Sequence, residues 1–166
     1  DIQNLVVNAQ LAIRANTTEQ NLDLHVETLT GDAKLRFGTD NTAGEDGNSI
    51  WGLDVDNSAF AGTVEINVGN LRFDDTLLLT NATLSVRAGS QLTTVIMAND
   101  ATFAALDYEG VLVADGTYSA AQLNSLLGST RFSGAGMITI QALPAAGPLY
   151  ADWVASYPTL ESQTNH

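Results

Sequence analysis

The sequence predicts an all-β domain wound as a parallel β-helix, a solenoid in which short strands and corners repeat. Apolar residues occupy every second position in many short runs, and side chains on a strand alternate between its two faces. Glycines or polar turns follow most of these runs. The inward pairs of the central stretch begin at residues 64, 71, 77 and 84, so corners recur every six to eight residues. Three such strands make one turn of about 20 residues.

The N-terminal part contains short alternating runs separated by polar turns, and its spacing fits no helix. The apolar members of these runs are Leu5, Val7, Leu11, Ile13, Leu22, Leu24, Val26, Leu35 and Phe37. Residues 38–48 (GTDNTAGEDGN) then interrupt the pattern with three glycines and no large apolar side chain. This composition predicts a loop that projects from the body of the domain.

The stretch from Asn57 to Phe73 (NSAFAGTVEINVGNLRF) organises the rest of the chain. An aromatic–glycine corner at Phe60 and Gly62 precedes one alternating strand, and Gly69 separates that strand from a second. The residues predicted to face the core are Val64, Ile66, Leu71, Phe73, Leu77, Leu79, Leu84 and Val86. The residues predicted to form one polar outward face are Thr63, Glu65, Asn67, Arg72, Thr83 and Ser85, with Arg72 and Arg87 in an ion ladder with Glu65.

A short helix is predicted near the C-terminal end, from Ala120 to Leu127. The hydroxyl of Ser119 can accept an amide hydrogen bond in the first turn, and Gly128 ends the helix. Leu123, Leu126 and Leu127 would form its buried face. The composition after this point places the β-helix domain at residues 1–143 and a linker with a C-terminal tail at residues 144–166.

Composition limits the possible partners. The chain has 166 residues, a formal net charge of -13 and no cysteine. Its negative field repels phosphate backbones and anionic headgroups, so nucleic acid is not an expected partner. No run approaches the roughly 20 apolar residues that a membrane helix needs, so no membrane insertion is expected. The acidic surface suits cations and neutral polyols better, and we expect a module of a longer protein.

The central stretch resembles the autotransporter-associated β-strand repeat of extracellular β-helical proteins. The matching residues are Ser58, Phe60, Gly62, Val64-Glu65-Ile66, Gly69 and Leu71-Arg72-Phe73. Residues 31–37 (GDAKLRF) look like a partial second copy, whereas Ala61 and Asn70 depart from the usual small hydroxyl residues. The resemblance implies a right-handed β-helix in a secreted or cell-surface protein. It also implies covalently linked neighbouring domains and no catalytic residues within this domain.

Trp51 is the centre of the predicted ligand site, because the alternation is interpreted with Ile50, Leu53 and Val55 facing inward and Trp51 out of phase with them. It lies beside the acidic loop and is the one aromatic of the N-terminal half placed to stack on a sugar at the edge of the outward face. Asp54 and Asp56 share one face of their strand, and the loop adds Asp46 and Asn48. Together these five residues predict a shallow carbohydrate site, with core packing of Trp51 as the equal alternative.

The loop also offers the hard oxygen ligands that calcium prefers, at Asp40, Glu45 and Asp46. Their spacing is not that of a calcium-loop motif. Calcium is therefore a possible ligand, no other cofactor is expected, and a plain exposed loop is the alternative.

The predicted function is non-catalytic binding of a polysaccharide or cell-surface glycan, or adhesion, by a secreted module. A β-helical polysaccharide lyase or glycoside hydrolase is the enzyme alternative, because Asp54 and Asp56 are of the residue type that acid–base glycoside hydrolysis uses. Scarce basic residues and a single internal histidine, His25, argue against it, and His25 itself is predicted to be merely solvated. A structural spacer is the third possibility, and a β-sandwich is the alternative fold.

Overall fold

The computed structural model describes residues 1–14, 21–38, 49–87 and 93–141. The strands of these ranges are β1 (Ile2–Val7), β2 (Leu11–Ile13), β3 (Asn21–Gly31), β4 (Lys34–Phe37), β5 (Ile50–Ser58), β6 (Thr63–Ile66), β7 (Gly69–Phe73), β8 (Leu77–Val86), β9 (Thr93–Ile96), β10 (Ala101–Tyr108), β11 (Val111–Leu112), β12 (Gly116–Ser119), β13 (Phe132–Ser133) and β14 (Met137–Ile140). A single helix of the described part, α1 (Ala120–Leu127), lies between β12 and β13.

From β1 to β10, successive strands alternate between two sheets. The odd sheet has the order β1-β3-β5-β7-β9-β13, and the even sheet has the order β12-β14-β10-β8-β6-β4-β2. Neighbouring strands pair in parallel, apart from β12 on β14 and β11 on β10, which are antiparallel. Parallel pairing confirms the all-β domain with parallel sheets and rules out the alternative sandwich of antiparallel strands.

The register stacks apolar side chains on apolar side chains. In the even sheet Leu35 pairs with Val64, Val64 with Leu84, and Leu84 with Leu106. Partners such as Val64 and Leu84 are 20 residues apart, the spacing expected from the corners. The eight residues predicted to face the core, Val64, Ile66, Leu71, Phe73, Leu77, Leu79, Leu84 and Val86, are all fully buried.

The core lies between the two sheets, where aromatic rings from opposite sheets meet. Phe37 of β4 packs on Trp51 of β5 with ring centroids 6.3 Å apart. Phe73 of β7 packs on Phe103 of β10 at 5.9 Å. These tilted pairs add specific geometry to the burial of apolar area, and the residues that alternate with them point away from the core.

Helix α1 begins and ends where the sequence predicts. Ser119 forms a capping box with Gln122, and Gly128 ends the helix in the left-handed conformation at φ 60°. Leu123 is buried, but Leu126 is 59% exposed. Leu126 therefore does not belong to the buried face that the sequence predicted. Among the described residues, no helix has both the length and the apolar character needed to cross a membrane.

The corner at Phe60 and Gly62 is held by both side-chain and backbone contacts. The Phe60 ring is fully buried, and the Thr63 amide donates to the Ala33 carbonyl at 3.0 Å. A Cβ on Gly62 would overlap this same carbonyl oxygen and the Phe60 ring. Neither neighbour can move freely, because one carries a ladder hydrogen bond and the other is packed in the core.

Gly62→Ala is therefore expected to destabilise the domain by about 2 kcal/mol, within the usual range for overpacking a core. The free energy of unfolding from denaturant titration measures this. Ala61→Ser adds one heavy atom at the exposed neighbouring position and should change that free energy by less than about 0.5 kcal/mol. Equal stability of the two variants would contradict the close packing of the corner.

Candidate functional site

A histidine and two aspartates meet on the outer face of the odd sheet. His25 of β3 pairs in register with Asp54 of β5, and Asp56 follows two residues later on the same strand. Side chains two apart on a strand share a face, so Asp54 and Asp56 lie on the same face of β5, as the sequence predicted, and their carboxylates flank the imidazole. His25 and Asp54 are half-buried, whereas Asp56 is exposed.

The two carboxylates approach different nitrogens of the His25 ring. Asp54 Oδ2 lies 2.6 Å from Nδ1, and Asp56 Oδ2 lies 3.7 Å from Nε2. A carboxylate accepts hydrogen bonds, so the short contact places a proton on Nδ1. The hydrogen bond to Asp54 and the nearby charges of Asp54, Asp56 and Glu27 raise the pKa of His25 above 6.5, against the opposing effect of burial.

An ion-paired arginine adjoins the histidine cluster on the same outer face. Arg72 of β7 donates from Nη2 to Asp23 Oδ1 at 2.8 Å and from Nε to Asp74. Gly52 lies beneath this bridge in the intervening strand, and a Cβ there would overlap the Asp74 carboxylate. The lack of a side chain at Gly52 thus lets the guanidinium link carboxylates across three strands.

These six residues form one surface, which we call the outer odd face. It consists of Asp23, His25, Asp54, Asp56, Arg72 and Asp74. Both hydrogen-bond donors and acceptors are present, and no Trp, Tyr or Phe side chain belongs to the set. Its carboxylates outnumber its cationic groups, so the surface is acidic with one fixed positive charge.

Trp51 does not belong to this surface, which corrects the prediction of a stacking ring. It is 1% exposed and packs on Phe37 in the core. Along β5 the buried side chains are those of Trp51, Leu53 and Val55, so Trp51 is in phase with the core residues and Ile50 is the residue out of phase. The ring is therefore covered by the protein and offers no platform for a sugar.

The other predicted ligands belong to the segment that the sequence predicts as a loop. Asp40, Glu45, Asp46 and Asn48 lie outside the described residues, so the calcium site and the loop's share in a ligand site stay predictions. Only Asp54 and Asp56 of the predicted set are placed together by the structure.

The outer face of the even sheet carries a second charged cluster. Glu65 is 2% exposed, and its carboxylate lies 2.7 Å from Lys34 Nζ and 2.6 Å from Arg36 Nε. Arg87 Nε lies 3.6 Å from it. The predicted ladder with Arg87 is present, but Arg72 lies on the other sheet, so the predicted outward residues do not form a single face.

Burial alone would raise the pKa of Glu65, but the hydrogen bonds from Lys34 and Arg36 outweigh it and hold the pKa below 4.5. The charged pairs cover the carboxylate almost completely. This cluster therefore holds strands together and leaves no open carboxylate for a ligand.

A cavity of about 260 Å³ lies between β10, β14 and the segment after β11. Its walls include Ala105, Leu112, Val113, Asp115 and Ile140. It contains one ionisable side chain and no histidine, so it lacks the paired groups that acid–base chemistry needs.

Among the described residues, His25, Asp54 and Asp56 are the one group of three His, Asp or Glu side chains close enough to hold a metal ion. The sequence interpretation treated His25 as merely solvated and missed this group. No protein-family model, curated protein or solved structure matches the chain.

Proposed function

We propose that the chain is a right-handed parallel β-helix that serves as a non-catalytic, carbohydrate-binding module of a longer secreted or cell-surface protein. The alternation of β1 to β10 between two sheets of parallel strands supports the β-helix. Right-handedness is supported by the strong preference of crossovers between parallel strands of one sheet for that hand. The resemblance of residues 57–73 to the extracellular β-strand repeat favours the secreted setting.

The observation that carries the binding role is the in-register polar surface on β3, β5 and β7. Parallel strands lie about 4.8 Å apart, so this outer odd face offers evenly spaced donors and acceptors to an extended chain. Charged groups make stronger hydrogen bonds than neutral ones, and sugar hydroxyls can both donate to carboxylates and accept from Arg72. The ligand would lie across the strands, held by hydrogen bonds instead of ring stacking.

The non-catalytic role is supported by how the carboxylates of this surface are engaged. Asp54 is held by His25, and Asp23 and Asp74 are held by Arg72. The surface is open, whereas acid–base catalysis gains from a site that excludes water. His25 with Asp54 is nevertheless the arrangement of an oriented base, so a β-helical lyase is the alternative that the experiment must distinguish.

Affinity electrophoresis against a panel of neutral and acidic polysaccharides tests the binding role. Retention on at least one polysaccharide is expected. Arg72→Gln should weaken it about tenfold, because a charge-assisted hydrogen bond contributes roughly 1.5 kcal/mol or more. Arg14→Gln removes the same charge at an exposed position beyond β2 and should leave retention unchanged.

Chain-length analysis of each polysaccharide after incubation distinguishes the remaining functions. Unsaturated or reducing ends that disappear in His25→Asn would show the lyase or hydrolase. Absence of both retention and products would leave the spacer as the role of the domain. Equal weakening by both arginine variants would place the binding elsewhere or make it a property of net charge alone.

A further inference from the structure

We propose that His25 and Asp56 bind a divalent transition-metal ion, with Zn²⁺ as the best match, and that Asp54 orients the histidine for it. The site uses part of the outer odd face, but metal binding does not require the proposed carbohydrate binding, and the site is distinct from the predicted calcium loop. It rests on the positions of three side chains on β3 and β5, and it would be present whether or not the module binds a glycan.

The tautomer of His25 makes Nε2 the ring nitrogen available to a metal ion. Its Nδ1 atom is committed to Asp54 at 2.6 Å, which leaves the lone pair of the neutral ring on Nε2. Histidines that bind metals commonly donate their other ring N–H to a carboxylate in this way, which fixes the ring and raises its basicity. Asp54 thus has the place of an outer-shell partner, and the ligand atom of His25 is Nε2.

The distance from His25 Nε2 to Asp56 Oδ2 is close to that between two ligands of one zinc ion. At 3.7 Å it is too long for a hydrogen bond. Two ligand atoms at 2.0–2.1 Å from a tetrahedral zinc ion lie about 3.4 Å apart, so a shift of a few tenths of an ångström would let both atoms bind one ion. The gap therefore matches a shared metal ion better than a direct contact.

The chemical types of the two ligand atoms favour a transition-metal ion. One imidazole nitrogen and one carboxylate oxygen suit zinc and its neighbours in the first transition series, whereas calcium and magnesium take oxygen ligands. Asp56 is exposed, so the remaining coordination positions face solvent and would be filled by water. Two protein ligands imply a site of modest affinity that exchanges its ion readily.

The test is an NMR titration with Zn²⁺ that follows the ring nitrogens of His25. The chain has two histidines and no cysteine, so the variant His166→Gln leaves His25 as the single imidazole. Zn²⁺ should shift the Nε2 resonance to saturation at one ion per chain, while Nδ1 stays protonated. Equal concentrations of Ca²⁺ or Mg²⁺ should leave the Nε2 resonance in place.

Variants in that background separate the roles of the two aspartates. Asp56→Asn removes a ligand and Asp54→Asn removes the orienting partner, and each should weaken Zn²⁺ binding about 10–100-fold. In Asp54→Asn the Nδ1 proton should also lose its fixed position, a change that Asp56→Asn should not cause. Asp115→Asn, an exposed carboxylate before β12, should have no effect on binding.

Three results would overturn the proposal. One is an Nε2 resonance that does not move in a millimolar excess of Zn²⁺. Another is a response to Ca²⁺ as strong as that to Zn²⁺. The third is equal weakening by Asp115→Asn and Asp56→Asn, which would mean diffuse attraction to an acidic protein instead of a site. None of these results depends on whether the module retains a polysaccharide.

Discussion

Trp51→Ala is expected to destabilise the domain by about 3–5 kcal/mol, the range for truncating a buried aromatic side chain. The indole is 1% exposed and contacts the Phe37 ring between the two sheets. Its removal would leave a cavity in a layer that also includes Leu71, its register partner on β7. The free energy of unfolding by denaturant titration, with the slope compared to the unmodified chain, measures the loss.

Leu112→Ala is the matched control, because it also truncates a large apolar side chain but at a position that is 69% exposed. Its effect should stay within about 0.5 kcal/mol. A Trp51→Ala chain as stable as this control would contradict core packing. It would restore the indole as a candidate stacking ring, and a polysaccharide-retention assay on the same variant would then be the next measurement.

The alternation of apolar residues predicted the core well where the phase of the strand was unambiguous. The ladder around Val64 and Ile66 is buried as predicted, since glycines on either side fix which residue starts the strand. On β5 the apolar Ile50 precedes Trp51, so two adjacent large residues compete for the inward phase. Leu53 and Val55 follow Trp51 at intervals of two residues, so Trp51 faces inward with them. The prediction that Ile50 faces inward was wrong.

The pairing of His25 with Asp54 could have been found from the sequence, but only through the register. Residues 31–37 look like a copy of the central repeat, and aligning Leu35 on Val64 gives an offset of 29 residues. The same offset aligns His25 with Asp54, and the structure has both pairs in register. A histidine judged by its own neighbours alone appears solvated, because its partner lies on the adjacent strand of the sheet.

The basic partners of Glu65 were harder to predict. Lys34 and Arg36 flank Leu35 on the partial copy, and their side chains reach Glu65 only because β4 pairs with β6 in parallel. Alternation predicts whether a charged residue points inward or outward, but not the sheet to which its strand belongs. The sequence prediction put Arg72 beside Glu65, whereas β7 lies in the odd sheet, where the partners of Arg72 are Asp23 and Asp74.

Glu65→Gln is expected to destabilise the domain by about 3 kcal/mol, the lower end of the range for breaking a buried ion pair. The lower end applies because Lys34 and Arg36 reach solvent in part. The amide would place an N–H₂ group against basic donors and leave Lys34, Arg36 and Arg87 without their shared carboxylate. Denaturant titration at neutral pH, with Asp115→Asn beside it, measures the difference.

The net charge of the chain separates the expected effects of Glu65→Gln and Asp115→Asn on stability. At a net charge of -13, removing any carboxylate reduces self-repulsion. Asp115→Asn should therefore be neutral or slightly stabilising, whereas Glu65→Gln should be strongly destabilising.

The pH dependence of stability gives a second measurement of the role of Glu65. Since the pKa of Glu65 in the folded chain lies below its ordinary value of 4.5, its contribution is present above that pH and is lost as the pH falls through the folded-state pKa. The unmodified chain should therefore lose more stability than Glu65→Gln between neutral pH and pH values below 4.5, and parallel pH profiles for the two chains would contradict the stabilising role of this ion cluster.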